Sequence, residues 1–303
     1  MKQVVFILGM LLSGIVLVAQ EDQLTSFQRE NNAGFALMEE WAPFYHGVAS
    51  GDPSADGVVI WTRITPDDMG QTIEGNWQVA EDPNMEDVVL EGEFTTDASK
   101  DFTVKVEVSG LESDKTYYYV FRTGDKFSLI GRTKTLAQNA DHLRFAIVSC
   151  SNYQAGYFNA YQRIAERNDL DALIHLGDYI YEYADQVYGD ENLFSERQLD
   201  PLEEIIDLED YRIRYSNYRL DTQLIRVHQQ HPIIAVWDDH ESANDAYVDG
   251  AENHTEGDEG SWEERKANAR QVYFEWMPIR DNENQSVYRT FNYGDLADLV
   301  MID

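Results

Sequence analysis

The chain has 303 residues, of which 56 are Asp or Glu and 23 are Lys or Arg, so its formal net charge is -33 at pH 7. This charge repels nucleic acid and anionic membrane surfaces, and we expect no nucleic-acid-binding groove. A single cysteine excludes an intrachain disulfide, so stability must come from the hydrophobic cores.

Residues 1–20 have the pattern of a signal peptide. Lys2 precedes the apolar run VVFILGMLLSGIVLVA, which ends at the small residue Ala19. The run is short for a membrane-spanning helix and lacks a basic stop-transfer flank, which makes an uncleaved anchor the weaker alternative. We therefore expect an exported protein, in the periplasm, at the cell surface or outside the cell, with no transmembrane helix beyond the signal peptide.

Residues 41–137 are predicted to form an all-β domain. Four β-rich runs are separated by Gly, Asp, Pro and Ser turn signals, namely Val58–Arg63, Val88–Phe94, Phe102–Val108 and Tyr117–Arg122. Short strands at this spacing favour a small sandwich. Leu111 and Tyr117 flank a polar turn that resembles the corner of fibronectin type III domains. We therefore predict an immunoglobulin or fibronectin III-like sandwich here.

Residues 142–303 show a different pattern, in which strands alternate with helices. Strands are predicted at Leu143–Val148, Ala172–Leu176, Ile233–Trp237 and Asp298–Asp303, and helices at Tyr157–Ala165, around Leu208–Leu224 and at Ser261–Met277. Strand, helix and strand at this length indicate a parallel βαβ unit and an α/β fold. Because the last predicted strand has no successor, we expect the natural protein to be longer.

Three of these strands run directly into side chains that can bind a cation. The first is followed by Ser149-Cys-Ser-Asn152, the second by Gly177-Asp-Tyr-Ile-Tyr181, and the third by Asp238-Asp-His-Glu241. In open α/β sheets the loops at the carboxyl edge converge and bind ligands. The coincidence of three such endings is better evidence for a site than any one of them.

Each residue also has a structural alternative. Asp178 could serve only a tight turn, and His240 could be a hydrogen-bonded structural histidine. Cys150 could be a small buried hydrophobe. Tyr181 favours the site, because a phenolate is a good ligand only for a hard, strongly acidic metal. A Cys150 thiolate could reach the same ion, since coordination removes the thiol proton.

The same motifs carry a family resemblance. Phe44–Arg63, the Ser-Cys, Gly-Asp-Tyr-Ile-Tyr-Glu and Trp-Asp-Asp-His-Glu motifs, and Ala269–Arg280 (ARQVYFEWMPIR) resemble the alkaline phosphatase D (PhoD-like) family of metallophosphoesterases. The resemblance extends from about Trp41 to Asp303. It implies a β-sandwich at 41–137, followed at 142–303 by the N-terminal half of a metallophosphatase catalytic domain. The expected fold is an incomplete metallophosphoesterase αββα sandwich.

The resemblance also implies roles for individual residues. Cys150, Asp178 and Tyr181 match positions that hold iron (Fe³⁺), with Asp178 bridging to neighbouring calcium. Asp239 stands where the superfamily keeps a metal-binding Asn, and Asn244 is a further candidate calcium ligand, so the choice between these two stays open. His240 is the expected phosphate-contacting catalytic residue. Relatives supply further ligands from the C-terminal half, so this chain alone is expected to hold half a site and to be inactive by itself.

Two functions remain compatible with the sequence. The first is an exported, monomeric phosphatase that uses iron and calcium to hydrolyse phosphomonoesters, phosphodiesters or both, with a metal-bound hydroxide as nucleophile. The second is a calcium-dependent extracellular binding or adhesion module without catalysis, suggested by export, the β-sandwich and the acidic loops at Asp185–Asp210 and Asp249–Glu264. The module accounts for the charge but gives Cys150 and Tyr181 no role.

Overall fold

A computed structural model describes residues 37–302, so the predicted signal peptide at residues 1–20 lies outside the described residues. The strands are β1 Val48–Gly51, β2 Gly57–Arg63, β3 Ile73–Ala80, β4 Val88–Thr96, β5 Thr103–Ser109, β6 Thr116–Thr123, β7 Lys126–Phe127, β8 Gly131–Lys134, β9 Phe145–Val148, β10 Ala172–His175, β11 Pro232–Ala235, β12 Arg289–Tyr293 and β13 Ala297–Met301. The α-helices are α1 Asn159–Ala165, α2 Leu208–Arg219, α3 Thr222–Gln230 and α4 Trp262–Trp276. Short 3-10 helices lie at Glu39–Trp41, Ala98–Lys100, Tyr153–Ala155 and Asp239–Glu241. None of the helices described here is both long and apolar enough to cross a bilayer.

The largest sheet has six strands in the order β5-β2-β1-β11-β10-β9. Strands β9, β10 and β11 are parallel, as the predicted βαβ pattern requires. Strand β1 pairs in parallel with β11, and Gly51 lies opposite Ile233. A Cβ at Gly51 would lie 2.6 Å from the Ile233 carbonyl oxygen and 2.3 Å from that of Pro278, so glycine permits this close approach. The N-terminal strands therefore extend the α/β sheet.

A second sheet, β4-β3-β6-β7 with β8 also on β6, packs against strands β1, β2 and β5. Val58 and Ile60 from one sheet meet Phe94 and Phe121 from the other in a common core. The Tyr117 hydroxyl accepts a hydrogen bond from the Glu112 amide at 3.0 Å, as expected of a tyrosine corner. Two packed sheets are thus present, and one of them continues into the α/β part. An immunoglobulin-like topology stays a prediction.

The single helix predicted around Leu208–Leu224 is wrong, because two helices occupy this segment. Helix α2 ends at Arg219, and Asp221 begins α3 by accepting hydrogen bonds from the Gln223 and Leu224 amides. An Asp that caps the next helix offers the backbone an alternative to continuing the first one. The start of α4 is as predicted, with the Ser261 hydroxyl accepting from the Glu264 amide.

The larger hydrophobic core determines where the carboxyl ends of the parallel strands lie. Leu173, Ile174, Ile233 and Ile234 of the parallel strands pack with aromatic residues of α2 and α4, such as Trp276. This packing buries the middle of the sheet on the helix side and leaves the carboxyl ends of β9, β10 and β11 at one edge. The polar segments that follow these strands meet there.

Candidate metal centre

Backbone hydrogen bonds join the loop after β9 to the loop after β10. The Cys150 amide donates to the Gly177 carbonyl oxygen at 3.1 Å, and the Ser151 amide donates to the Asp178 carbonyl oxygen at 2.8 Å. Cys150 has φ 58° and Asp178 has φ 54°, both in the left-handed region. Non-glycine residues held in this region are characteristic of functional sites.

Glu241 joins the loop after β10 to the loop after β11. Its buried carboxyl group accepts hydrogen bonds from the amides of Asp178 at 3.1 Å, Tyr179 at 2.5 Å and Asp238 at 2.8 Å. Burial raises the pKa of Glu241 to about 8, against the effect of these amides. The two acidic loops are therefore held together by one side chain.

Asp178, Asp239 and His240 form a cluster at this edge. One candidate ligand atom from each lies within 4.8 Å of the others. Asp178 is buried, its Oδ2 accepts from the Tyr181 hydroxyl at 3.1 Å, and its Oδ1 has no hydrogen-bond partner. A buried carboxylate oxygen without a partner is costly unless a cation binds it. The two carboxylates therefore fit a hard metal ion, with the His240 imidazole beside them.

Tyr181 and Cys150 lie next to this cluster. Burial, the Asp178 carboxylate and the Cys150 thiol all raise the pKa of Tyr181, so a cation would be needed to favour its phenolate. Cys150 is exposed, and the alternative of a thiol buried in the core is therefore wrong. Among the described residues its sulfur lies outside the three-residue group within 4.8 Å.

The two candidate calcium ligands differ in their surroundings. Asp239 is part of the cluster and also accepts a hydrogen bond from the Asp245 amide. The Asn244 side chain instead donates to Glu252 Oε2 at 2.8 Å. Asp239 thus faces Asp178, whereas the Asn244 amide nitrogen is engaged with Glu252.

His240 is held by a buried carboxylate. Its Nδ1 lies 2.7 Å from Glu182 Oε2, which leaves Nε2 available to the site. Glu182 Oε1 accepts from the Asn244 amide at 2.7 Å and from Asn253 Nδ2 at 2.9 Å. Burial lowers the pKa of His240, but the Glu182 carboxylate outweighs it and the pKa is raised. The Tyr181 ring packs on the imidazole, with centroids 4.3 Å apart.

Known proteins resemble this chain in sequence and in fold. A family model described as PhoD-like phosphatase matches residues 145–303, and a model of the PhoD-like phosphatase N-terminal domain matches residues 31–137. The chain belongs to the PhoD-like phosphatase family. Alkaline phosphatase D of Bacillus subtilis (strain 168) is 39% identical to it over 277 residues. The resemblance inferred from the sequence motifs is therefore confirmed.

The relatives are longer than this chain. The alignment with the Bacillus subtilis protein covers 86% of this chain and 46% of that protein. A solved structure titled "Structure of PhoD" superposes with a TM-score of 0.77 at 38% identity, covering 89% of this chain and 53% of that one. The chain thus spans about half the length of these PhoD-like relatives.

The sequence alone does not assign roles to several residues that support the site. Glu182 follows Tyr181 directly, and its place in that motif was the available signal. Ser151, Tyr161 and His175 form a buried hydrogen-bonded group, with Ser151 Oγ 2.5 Å from the Tyr161 hydroxyl and 3.1 Å from His175 Nε2. No local pattern indicates that these three residues meet.

This group fixes the turn before Asp178. The Gly177 amide donates to His175 Nδ1 at 3.2 Å, and burial lowers the pKa of His175 to about 3. His175 is therefore neutral, with its proton on Nε2. Ser151 and His175 are both buried, so this pair supports the site and does not act as an exposed nucleophile and base.

An open cavity of about 850 Å³ lies beside the cluster. Asp238 and Asp239 form one part of its wall, and Trp237, Lys266 and Arg270 form another. The Arg270 guanidinium lies 5.7 Å from the Trp237 ring centroid. The cavity therefore brings two cationic side chains close to the acidic site in a strongly acidic protein.

Proposed function

We propose that this PhoD-like protein is an exported, metal-dependent hydrolase of phosphate esters. The observation that carries the proposal is the cluster of Asp178, Asp239 and His240, in which the buried Asp178 Oδ1 has no hydrogen-bond partner. Membership in the phosphatase family supports the reaction class. Phosphomonoesters and phosphodiesters are both proposed as substrates. The proposed export rests on the signal-peptide pattern of residues 1–20.

The proposed ligands follow from the chemistry of their side chains. Cys150, Asp178 and Tyr181 offer a thiolate, a carboxylate and a phenolate, a set that suits iron. Asp239 offers a carboxylate for calcium and is favoured over Asn244, because Asp239 shares the cluster with Asp178. When bound, such ions neutralise phosphate oxygens and increase the acidity of water.

The chain's own residues supply positioning and a proton. We assign to His240 Nε2 the role of contacting a phosphate oxygen and protonating the leaving alcohol. Glu182 fixes the proton on Nδ1 and orients the ring. Glu241 holds the loops of Asp178 and Asp238 at a constant separation. Acid catalysis by a positioned histidine contributes about 10²–10⁴-fold in enzymes.

The calcium-dependent adhesion module is the second candidate. The acidic loops favour it, but it gives no role to the contact between Tyr181 and Cys150 beside Asp178. A module that binds only calcium would retain that ion whether or not a thiol is present. The two candidates therefore predict different metal contents.

Elemental analysis of the complete natural protein and of Cys150→Ser tests the proposal. We expect stoichiometric iron in the parent, loss of iron in Cys150→Ser, and retention in Ser149→Ala, a control one residue away. Calcium alone in all three would favour the module. His240→Ala should then lose hydrolysis of p-nitrophenyl phosphate and of its bis ester while keeping its metals. Unchanged hydrolysis would remove His240 from the mechanism.

A further inference from the structure

Arg219, in the last turn of α2, is a fully buried guanidinium with little hydrogen bonding. Its Nε and Nη1 have no hydrogen-bond partner, and its Nη2 reaches the His46 carbonyl oxygen only at 3.5 Å. The guanidinium carbon lies 4.3 Å from the Trp61 ring centroid. Two charged N–H groups are thus withdrawn from water without an acceptor, which is costly.

The other buried arginines of the described chain are compensated. Arg197, Arg212 and Arg265 form salt bridges with carboxylates at 3.0, 2.6 and 2.8 Å. Arg214 donates instead to five backbone carbonyl oxygens. Within residues 37–302 Arg219 has no carboxylate partner. Its partners are the His46 carbonyl oxygen at 3.5 Å and the Tyr179 hydroxyl, and the phenols of Tyr179 and Tyr119 are the groups that act on its charge.

Two further buried hydroxyls belong to this region. Ser50 Oγ and the Tyr119 hydroxyl are fully buried and contact each other, with no other hydrogen-bond partner. Burial raises the pKa of Tyr119 and outweighs the effects of Ser50 and Arg219, so the phenol is neutral. His228 is also neutral, because burial and then the Arg219 charge lower its pKa. No described residue here supplies a negative charge.

Local dipoles offset only part of the positive charge. The Trp61 face attracts the guanidinium, and the carboxyl end of α2 carries a partial negative charge. Neither accepts the Nε and Nη1 hydrogens in a hydrogen bond. A water molecule would accept them but would supply no charge, whereas a small anion would do both.

We propose that one monovalent anion of the size of chloride binds between Arg219, Tyr119 and Ser50. The anion accepts hydrogen bonds from the two unpaired guanidinium N–H groups and from the Tyr119 hydroxyl. It lies where β1 and β6 of the two sheets approach α2. It therefore stabilises the packing of the N-terminal sheets on the helices, independently of any catalytic activity.

Bromide identifies the occupant directly, because it substitutes for chloride and scatters anomalously. The protein is unfolded in urea, refolded in bromide and crystallised, and an anomalous map is computed at the bromine edge. A peak within hydrogen-bonding distance of Arg219 Nε or Nη1 is expected. Ordered water at that point, or a packed site with no peak, overturns the proposal.

Thermal unfolding gives a solution test. The melting temperature is measured with sodium chloride replacing sodium gluconate at constant ionic strength, because gluconate is too large for the site. A saturable rise of the melting temperature with chloride is expected, since a ligand that binds only the folded state stabilises it.

Tyr119→Phe should weaken the chloride dependence several-fold. Tyr293→Phe removes a buried, unpaired hydroxyl elsewhere and should leave the dependence unchanged. Equal dependence in both variants, or none in the parent, contradicts the site.

Discussion

Glu182 determines the tautomer and orientation of His240. The carboxylate is fully buried and accepts hydrogen bonds from His240 Nδ1, the Asn244 amide and Asn253 Nδ2. Burial alone would raise the pKa of Glu182, but these hydrogen bonds outweigh burial and the pKa is lowered. A carboxylate that stays ionised beside His240 favours the imidazolium. The same residue positions the segment that carries Asn244.

Glu182→Gln should lower the pKa of His240, because the amide keeps the shape of the side chain but not its charge. His240 is titrated by NMR in the metal-free protein. In the complete natural protein, hydrolysis should fall by about 10–100-fold, which is part of the roughly 10²–10⁴-fold that general acid catalysis contributes. Glu252→Gln is the control, since Glu252 contacts Asn244 at the surface. An unchanged His240 pKa would contradict this role for Glu182.

At the scale of secondary-structure elements, the carboxylate of Glu241 connects the ends of β10 and β11. Glu241→Gln should destabilise the fold by about 1–3 kcal/mol, because at least one buried amide donor then faces an NH₂ group. It should also weaken metal binding about 10–100-fold, since Asp178 and Asp238 lose their shared anchor. Urea unfolding and calorimetric metal titration measure the two effects. Glu263→Gln, an exposed change in the first turn of α4, should alter neither.

The polar residues that follow the strands were predictable from sequence, but the residues that hold them in place were not. An apolar run followed by Cys150, Asp178 or Asp239 is a local pattern that can be read within ten residues or so. Glu241 reaches the Tyr179 amide across 62 residues, and Glu182 reaches His240 across 58. Such contacts depend on how strands are ordered in the sheet. No short segment specifies that order.

His231 is a buried and neutral histidine that lies between the end of α3 and the start of β11. Its Nε2 lies 3.0 Å from the Ile164 carbonyl oxygen, and burial lowers its pKa to about 4. The unfolded chain therefore binds a proton near pH 6.5 that the folded chain does not bind until about pH 4. The contribution of His231 to the free energy of unfolding is fully present above pH 6.5 and falls as the pH decreases towards 4.

His231→Gln should reduce this pH dependence, because glutamine can donate to Ile164 without titrating. The free energy of unfolding from urea should vary less between pH 6.5 and 4, by up to about 3 kcal/mol. His142→Gln, at an exposed position, should retain the dependence of the parent. Equal slopes for His231→Gln and the parent would exclude His231 as the source.

At the scale of the whole molecule, the N-terminal strands and the α/β part share one sheet, which the sequence did not reveal. The pairing of β1 with β11 joins residues 182 positions apart, such as Gly51 and Ile233. Asp52, with φ 42° and almost no exposure, follows this pair. It accepts hydrogen bonds from Arg289 Nη2 at 2.7 Å and from the Arg280 amide at 2.8 Å.

This continuity predicts a single cooperative unfolding transition, in contrast to the two transitions expected of separate domains. Asp52→Asn should lower the free energy of unfolding by about 3–5 kcal/mol, because Arg289 would keep its charge without its buried partner. The midpoint should shift, but far-UV circular dichroism and tryptophan fluorescence should still change together. Glu112→Gln removes an exposed ion pair with Lys115 and should cost less than about 1 kcal/mol. If Asp52→Asn instead separated the two signals, the β1–β11 pairing would be too weak to couple the sheets, and the N-terminal sandwich would be an independent folding unit.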